Sequence, residues 1–190
     1  GIGKYYGFTL SGNNRRFLLK DFTVVHNTFS AIDIIQDILD KEPDTRILVV
    51  VPKNVILETG WYKEFVDAGV PIQKIGVYYG DVKEYAQITI TNMQNIHRIP
   101  LEIFDMAVFD EVHNYGTERM LEYLKHPFKY CLGLTATLKR MDNKHYNILK
   151  IFNYNTFVYK PSEALSDGVL NPFDFENVGV MMDPESMDIY

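Results

Sequence analysis

The sequence predicts an α/β fold, a parallel sheet flanked by helices on both faces, and three observations carry that expectation. Strand and helix patterns alternate from Thr28 onward, the order that builds parallel sheets. Arg46 to Val51 reads as a continuous apolar strand, suited to a sheet buried on both faces. The chain has 190 residues, 46% of them hydrophobic, enough for one domain with a substantial core.

Gly1 to Asn27 differs in character. It is aromatic and rich in strand formers, with a turn expected at Ser11-Gly12-Asn13-Asn14, so it reads as a hairpin. The first helix is expected over Phe29 to Asp40, where Phe29, Ile32, Ile35, Ile38 and Leu39 recur at helical spacing. Val55 to Asp67 reads as the next helix. Strands are expected at Ile75 to Tyr79, Ile88 to Thr91 and Met106 to Phe109, the last followed at once by acidic residues. Thr117 to Leu124 reads as helix, Tyr130 to Leu134 as a strand ending in Thr-Ala-Thr, and Lys144 to Ile151 as helix. Short strands are expected near Phe157 and Phe175. Ligands of such sheets bind beyond the carboxyl ends of the strands.

Bulk properties narrow the function classes. A formal net charge of -6 argues against a broad electrostatic grip on nucleic acid, which draws on clustered Lys and Arg. Any such contact should be local and made partly through backbone amides. Cys131 is the only cysteine, so the chain can form neither an internal disulfide nor a thiolate metal cluster. The longest apolar run, Ile47 to Pro52, has the length of a strand and not of a membrane span, and no signal-peptide plan opens the chain. A cytoplasmic location with no membrane partner is the expectation.

Four stretches carry chemistry. Asp110-Glu111-Val112-His113 follows Met106-Ala107-Val108-Phe109 directly, so an apolar strand delivers two adjacent carboxylates to the ligand edge. One carboxylate can hold Mg²⁺ through water, and the next can polarise a water that attacks a γ-phosphate. Gly133-Leu134-Thr135-Ala136-Thr137 places two hydroxyls at a strand end, where they could bond to the acidic motif. Val51-Pro52-Lys53 ends a strand ahead of a helix, a backbone-amide site for a nucleic-acid phosphate. Thr91-Asn92-Met93-Gln94 ends another strand with polar residues that could touch a phosphate-sugar backbone. Trp61 reads as a core residue.

The order of these stretches resembles the first RecA-like domain of superfamily 2 helicases, a fold of the P-loop NTPase type. Val51-Pro52-Lys53 looks like motif Ia, Thr91 to Gln94 like motif Ib, Asp110 to His113 like the DExH box, and Leu134 to Thr137 like motif III. Gly133 to Asp142 and Glu163 to Phe173 are similar to repair-helicase (XPB-like) and phage helicase sequences. Lys53 stands where a Thr is common, and Gly60 where a Gln often precedes the Trp. The resemblance implies ATP and Mg as cofactors. Asp110 and Thr28 would hold the metal and Glu111 would activate water. His113, Thr135, Ala136 and Thr137 would couple hydrolysis to motion. Pro52, Lys53, Thr91 and Gln94 would contact nucleic acid, expected to be DNA, and a second RecA-like domain would be a partner.

The family's phosphate loop should read Gly-x-Gly-Lys-Thr ahead of the first helix, with backbone amides around the phosphates, a Lys on them and a Thr on the metal. Here His26-Asn27-Thr28 stands at that point, and Tyr5 to Asn27 resembles the C-terminal end of an intein. In that resemblance Asn27 cyclises and cuts the chain, His26 assists by proton transfer, and Thr28 is the next nucleophile. Gly1-Ile2-Gly3-Lys4 has two readings. It is the host's own loop, with Lys4 on ATP, or intein sequence of similar appearance, which fits slightly better. The expected division is an intein remnant over 1–27 and a helicase ATP-binding domain over 28–190. Three functions follow: an ATP-dependent helicase or translocase motor, inactive as this fragment; a non-catalytic fragment with a broken phosphate loop; or the translocase subunit of a restriction enzyme.

Overall fold

The computed structural model describes residues 16–20, 24–52, 60–158 and 161–166. Eight strands form one sheet: β1 (Arg16–Lys20), β2 (Ile47–Val51), β3 (Ile75–Tyr79), β4 (Val82–Lys83), β5 (Ile88–Asn92), β6 (Met106–Phe109), β7 (Tyr130–Thr135) and β8 (Thr156–Val158). Their order across the sheet is β4-β3-β5-β2-β6-β7-β1-β8. Every described pairing is parallel except β3 with β4. The carboxyl ends of β2, β5, β6, β7 and β1 therefore share one edge.

Alternation along the strands splits the core into two layers. Ile47, Val49, Val51, Ile90, Val108, Leu132 and Leu134 face α1 (Val24–Lys41) and α2 (Tyr62–Asp67), meeting Ala31, Ile32, Ile35, Trp61 and Phe65. Leu48, Val50, Ala107, Phe109 and Cys131 face the other way, against α3 (Glu118–Lys125) and α4 (His145–Ile151) through Leu121, Leu124 and Ile148. All five residues of β2 are buried, as expected of a central strand covered on both faces. The α/β architecture read from the sequence is the observed one. The short helix α5 (Pro161–Ser166) lies in a second compact unit, residues 160–190, where the Ser166 hydroxyl donates to the Glu163 carbonyl at 3.2 Å.

Several expectations are corrected or fall elsewhere. The first helix begins at Val24, not Phe29, so His26, Asn27 and Thr28 lie inside it. Phe29, expected on the buried face, is 46% exposed, because the apolar stripe that meets the sheet is Ala31, Ile32 and Ile35. The hairpin reading of Gly1 to Asn27 falls largely on residues 1–15, outside the described ones. The described strand of that stretch, β1, pairs in parallel with β7 and β8 inside the main sheet. The strand near Phe175 also lies outside the described residues, as does the first part of the helix expected from Val55.

Candidate functional site

The site grows from the end of β6. Met106 to Phe109 are buried on both faces, and β2 holds the next residue too, since the Asp110 amide donates to the Val50 carbonyl at 2.9 Å. Asp110 is 8% exposed. Its Oδ2 accepts the indole N–H of Trp61 at 2.9 Å, and its Oδ1 accepts the backbone N–H of Glu111 at 2.9 Å. Burial pushes the Asp110 carboxyl above the usual carboxylate range, the Trp61 bond opposes that, and the neighbouring Glu111 charge adds to it. Glu111 turns the chain in the left-handed region, φ 48° and ψ 50°. This is an uncommon conformation for a non-glycine residue and costs energy, of the kind that clusters at functional sites. A 3-10 turn over Val112–Tyr115 follows and carries His113 back toward β7.

Three side chains converge there. His113 Nδ1 lies 2.8 Å from the Thr135 hydroxyl at the end of β7 and 3.1 Å from Glu111 Oε2. Thr135 also donates to the Thr137 carbonyl at 3.1 Å and accepts the Thr137 amide at 3.2 Å. Glu111 Oε2, as a carboxylate oxygen, can only accept, so Nδ1 of a neutral His113 that bonds it carries the hydrogen, while the donor and acceptor roles between His113 and Thr135 follow the tautomer. Nε2 is left as an acceptor. Burial lowers the His113 pKa, the Arg140 charge lowers it further, and Asp110 pulls it up. Burial raises the Glu111 pKa, with the Thr135 hydroxyl opposing.

Arg140 closes the group from behind. Its Nη1 donates to the His113 carbonyl at 2.5 Å, and it grips Asp142 with Nε at 2.9 Å and Nη2 at 2.8 Å. A Cβ at Gly116 would stand 3.0 Å from Arg140 Nε and 3.1 Å from Lys144 Cβ, so a larger residue there would make those side chains shift by a few tenths of an ångström. Tyr115 is fully buried, and its hydroxyl has no hydrogen-bond partner among the described residues.

The other expected residues divide. Ala136 is half-buried and Thr137 exposed, both at the same edge. Pro52 is half-buried at the end of β2, and Gln94 is exposed just past β5. Thr91 is fully buried and its hydroxyl donates to the Tyr78 carbonyl at 2.8 Å, so the expected nucleic-acid contact from this side chain is not presented. Lys53 and Lys4 lie outside the described residues. Thr28 is 9% exposed on α1, and the side chains of His26 and Asn27 are outside the described residues. Trp61 and Arg140 were not expected at the site. A buried indole N–H needs an acceptor, and that signal alone could have pointed Trp61 at a carboxylate.

The two implied ligands fit unequally. No group of three or more His, Cys, Asp or Glu side chains able to hold a metal gathers among the described residues. Mg²⁺ keeps its waters and binds through one or two carboxylates, and the buried Asp110 at the sheet edge is one carboxylate of that kind. The phosphates of ATP are not provided for ahead of Thr28. Between Lys20 at the end of β1 and Thr28 there is neither Gly nor Lys, and the chain is helical from Val24. No cradle of backbone amides of the phosphate-loop kind is encoded there.

Comparison with known proteins agrees with this architecture. The chain belongs to the family described as type III restriction enzyme, res subunit, whose model matches residues 10–140. It is 23% identical over 188 residues, 92% of its length, to the type I restriction enzyme EcoAI endonuclease subunit of Escherichia coli, covering 23% of that protein. It is 28% identical over 154 residues, 73% of its length, to the DNA 3'-5' helicase XPB of Mycobacterium tuberculosis, covering 28% of it. The chain thus spans less than a third of these relatives. The helicase domain of Pyrococcus furiosus Hef has the same fold, with a TM-score of 0.71 and 20% identity, covering 86% of this chain and 39% of that one. This is the RecA-like fold of helicases. No helix among the described residues is long and apolar enough to cross a membrane.

Proposed function

We propose that this chain is the hydrolytic part of the first motor domain of an ATP-dependent DNA helicase or translocase, carrying an intein end where its phosphate loop belongs. The observation that supports it best is the Glu111–His113–Thr135 cluster beside a buried Asp110, at the carboxyl edge of a parallel sheet. Asp110 would hold a hydrated Mg²⁺, which supplies charge neutralisation to a bound nucleotide. Glu111, made more basic by burial, would accept a proton from a water. His113 would sense that transfer through Glu111 and pass it to Thr135 and Thr137 at the end of β7, the strand beside β1.

Tyr5 to Asn27 fits the reading as a placeholder. For a loop ending in Gly-x-Gly-Lys to be joined to Thr28, its acyl group would first pass from the nucleophile that opens an intein to the Thr28 hydroxyl; Asn27, assisted by His26, would then cyclise and break the bond before Thr28, and the ester would shift to the freed Thr28 amine. Lys4 would bind ATP only if Gly1 to Lys4 are that loop. Pro52, Lys53 and Gln94 would touch DNA, with a second RecA-like domain completing the motor. The family match and the EcoAI relative favour a restriction-type translocase as the second reading. Duplex unwinding and DNA cleavage assays on the mature protein separate the two. Mass and N-terminal sequencing of that protein test the splice. Gly-x-Gly-Lys-Thr running into Phe29-Ser30-Ala31 is the expected result, and persistence of Tyr5 to Asn27 ahead of Thr28 would leave an inert fragment.

A further inference from the structure

Trp61 is fully buried, at the junction of α2 with the sheet, and packs tilted against Phe65 with ring centroids 5.7 Å apart. It is the only Trp of the chain. Its ring belongs to the layer formed by α1 and the α1-facing side of the sheet, and its N–H donates to Asp110 Oδ2 at 2.9 Å. Gly60 and Trp61 take a π-helical turn before α2 becomes regular, a local distortion frequent at functional sites. Without its acceptor the indole N–H would be an orphaned donor in a dry core. The opposite carboxylate oxygen is tied to the Glu111 amide, so Asp110 is held from two sides.

We propose that Trp61 is a positioning residue that fixes the orientation of the Asp110 carboxylate, and so sets how tightly this edge of the sheet holds a divalent cation. Ligating carboxylates rely on hydrogen-bonded supports, and loss of one typically costs 10- to 100-fold in metal affinity. The ring of Trp61 fills core space while its N–H does the orienting, and the two roles can be separated. Trp61→Phe keeps an aromatic ring and removes the donor. The inference rests on the assignment of Asp110 as the Mg²⁺ holder, and the test separates that assignment from the positioning role.

The chain's single indole N–H gives one resonance in a ¹⁵N-labelled sample, which reads the bond without any activity. Asp110→Ala should shift that resonance and speed its hydrogen exchange at least tenfold, whereas Asp110→Asn, which retains an acceptor oxygen, should keep most of the protection. An indole signal and exchange rate unchanged in Asp110→Ala would overturn the bond itself. In the mature protein, Trp61→Phe should raise the Mg²⁺ concentration for half-maximal ATP turnover by about 10- to 100-fold. The KM for ATP at saturating Mg²⁺ should stay near wild type. Unchanged Mg²⁺ dependence in a folded Trp61→Phe protein overturns the positioning role. If the indole responds to Asp110 but wild-type protein shows no Mg²⁺-dependent turnover, the motor assignment fails and the metal role falls with it.

Discussion

Two neighbouring parts of one sheet edge differ sharply. At the ends of β6 and β7, Asp110, Glu111, His113 and Thr135 are tied by backbone and side-chain bonds into one arrangement. At the end of β1, two places along from β6, the chain passes through Asp21-Phe22-Thr23 into a helix with no glycine before Thr28. The register sets Lys20 opposite Thr135, so both parts meet at the same edge. β1 joins the sheet by backbone pairing with β7 and β8, while phosphate binding demands particular backbone and side chains. A fold can therefore be complete where a site is not.

The contrast is sharpened most by Glu111→Gln in the mature protein. It should reduce ATP turnover by about 10²- to 10⁴-fold, with nucleotide binding largely kept, in a steady-state ATPase assay. A smaller effect comes from the hub. Thr135→Val removes the partner of His113 and of Thr137, and should destabilise the domain by roughly 1–3 kcal/mol in urea unfolding. The β1 side should be more tolerant. Leu18→Ile keeps an apolar strand of the same volume there and should change stability by no more than about 1.5 kcal/mol in the same unfolding assay.

The smallest expected effect is a pH dependence. His113 has a pKa lowered from its ordinary 6.5 by burial and by Arg140. The unfolded chain then binds more protons than the folded one in the window just below 6.5, so stability rises with pH there and is lost as pH falls through it. Arg140→Gln removes a lowering charge and should move the His113 midpoint upward in an NMR titration.

How much of this was legible differs by region for physical reasons. The sheet was readable because β2 and β6 are buried on both faces and so write uninterrupted apolar runs into the sequence, while the equally buried β5 alternates Ile with Thr. Asp110 to His113 was readable because a carboxylate pair directly after such a run has a fixed position at the edge. Thr91 misled, because a hydroxyl near a strand end reads as available until its acceptor, the Tyr78 carbonyl on β3, is known. The Trp61 bond was hidden, since it joins residues 49 apart in the chain. The start of α1 was misplaced because Val24 and Val25 read as strand formers, and packing of the helix face at Ile32 and Ile35 against the sheet outweighs that preference.

The most direct test replaces only Asp21 to Asn27, after β1, with a phosphate-loop sequence ending in Gly-x-Gly-Lys before Thr28, and compares Mg²⁺-dependent ATP binding with that of the chain as it stands, by calorimetry. The expected result is binding by the replaced chain, lost in Asp110→Ala, and none by the original. Equal Mg²⁺-dependent binding by both would contradict the account, because the β1–α1 junction would then hold phosphates without the loop.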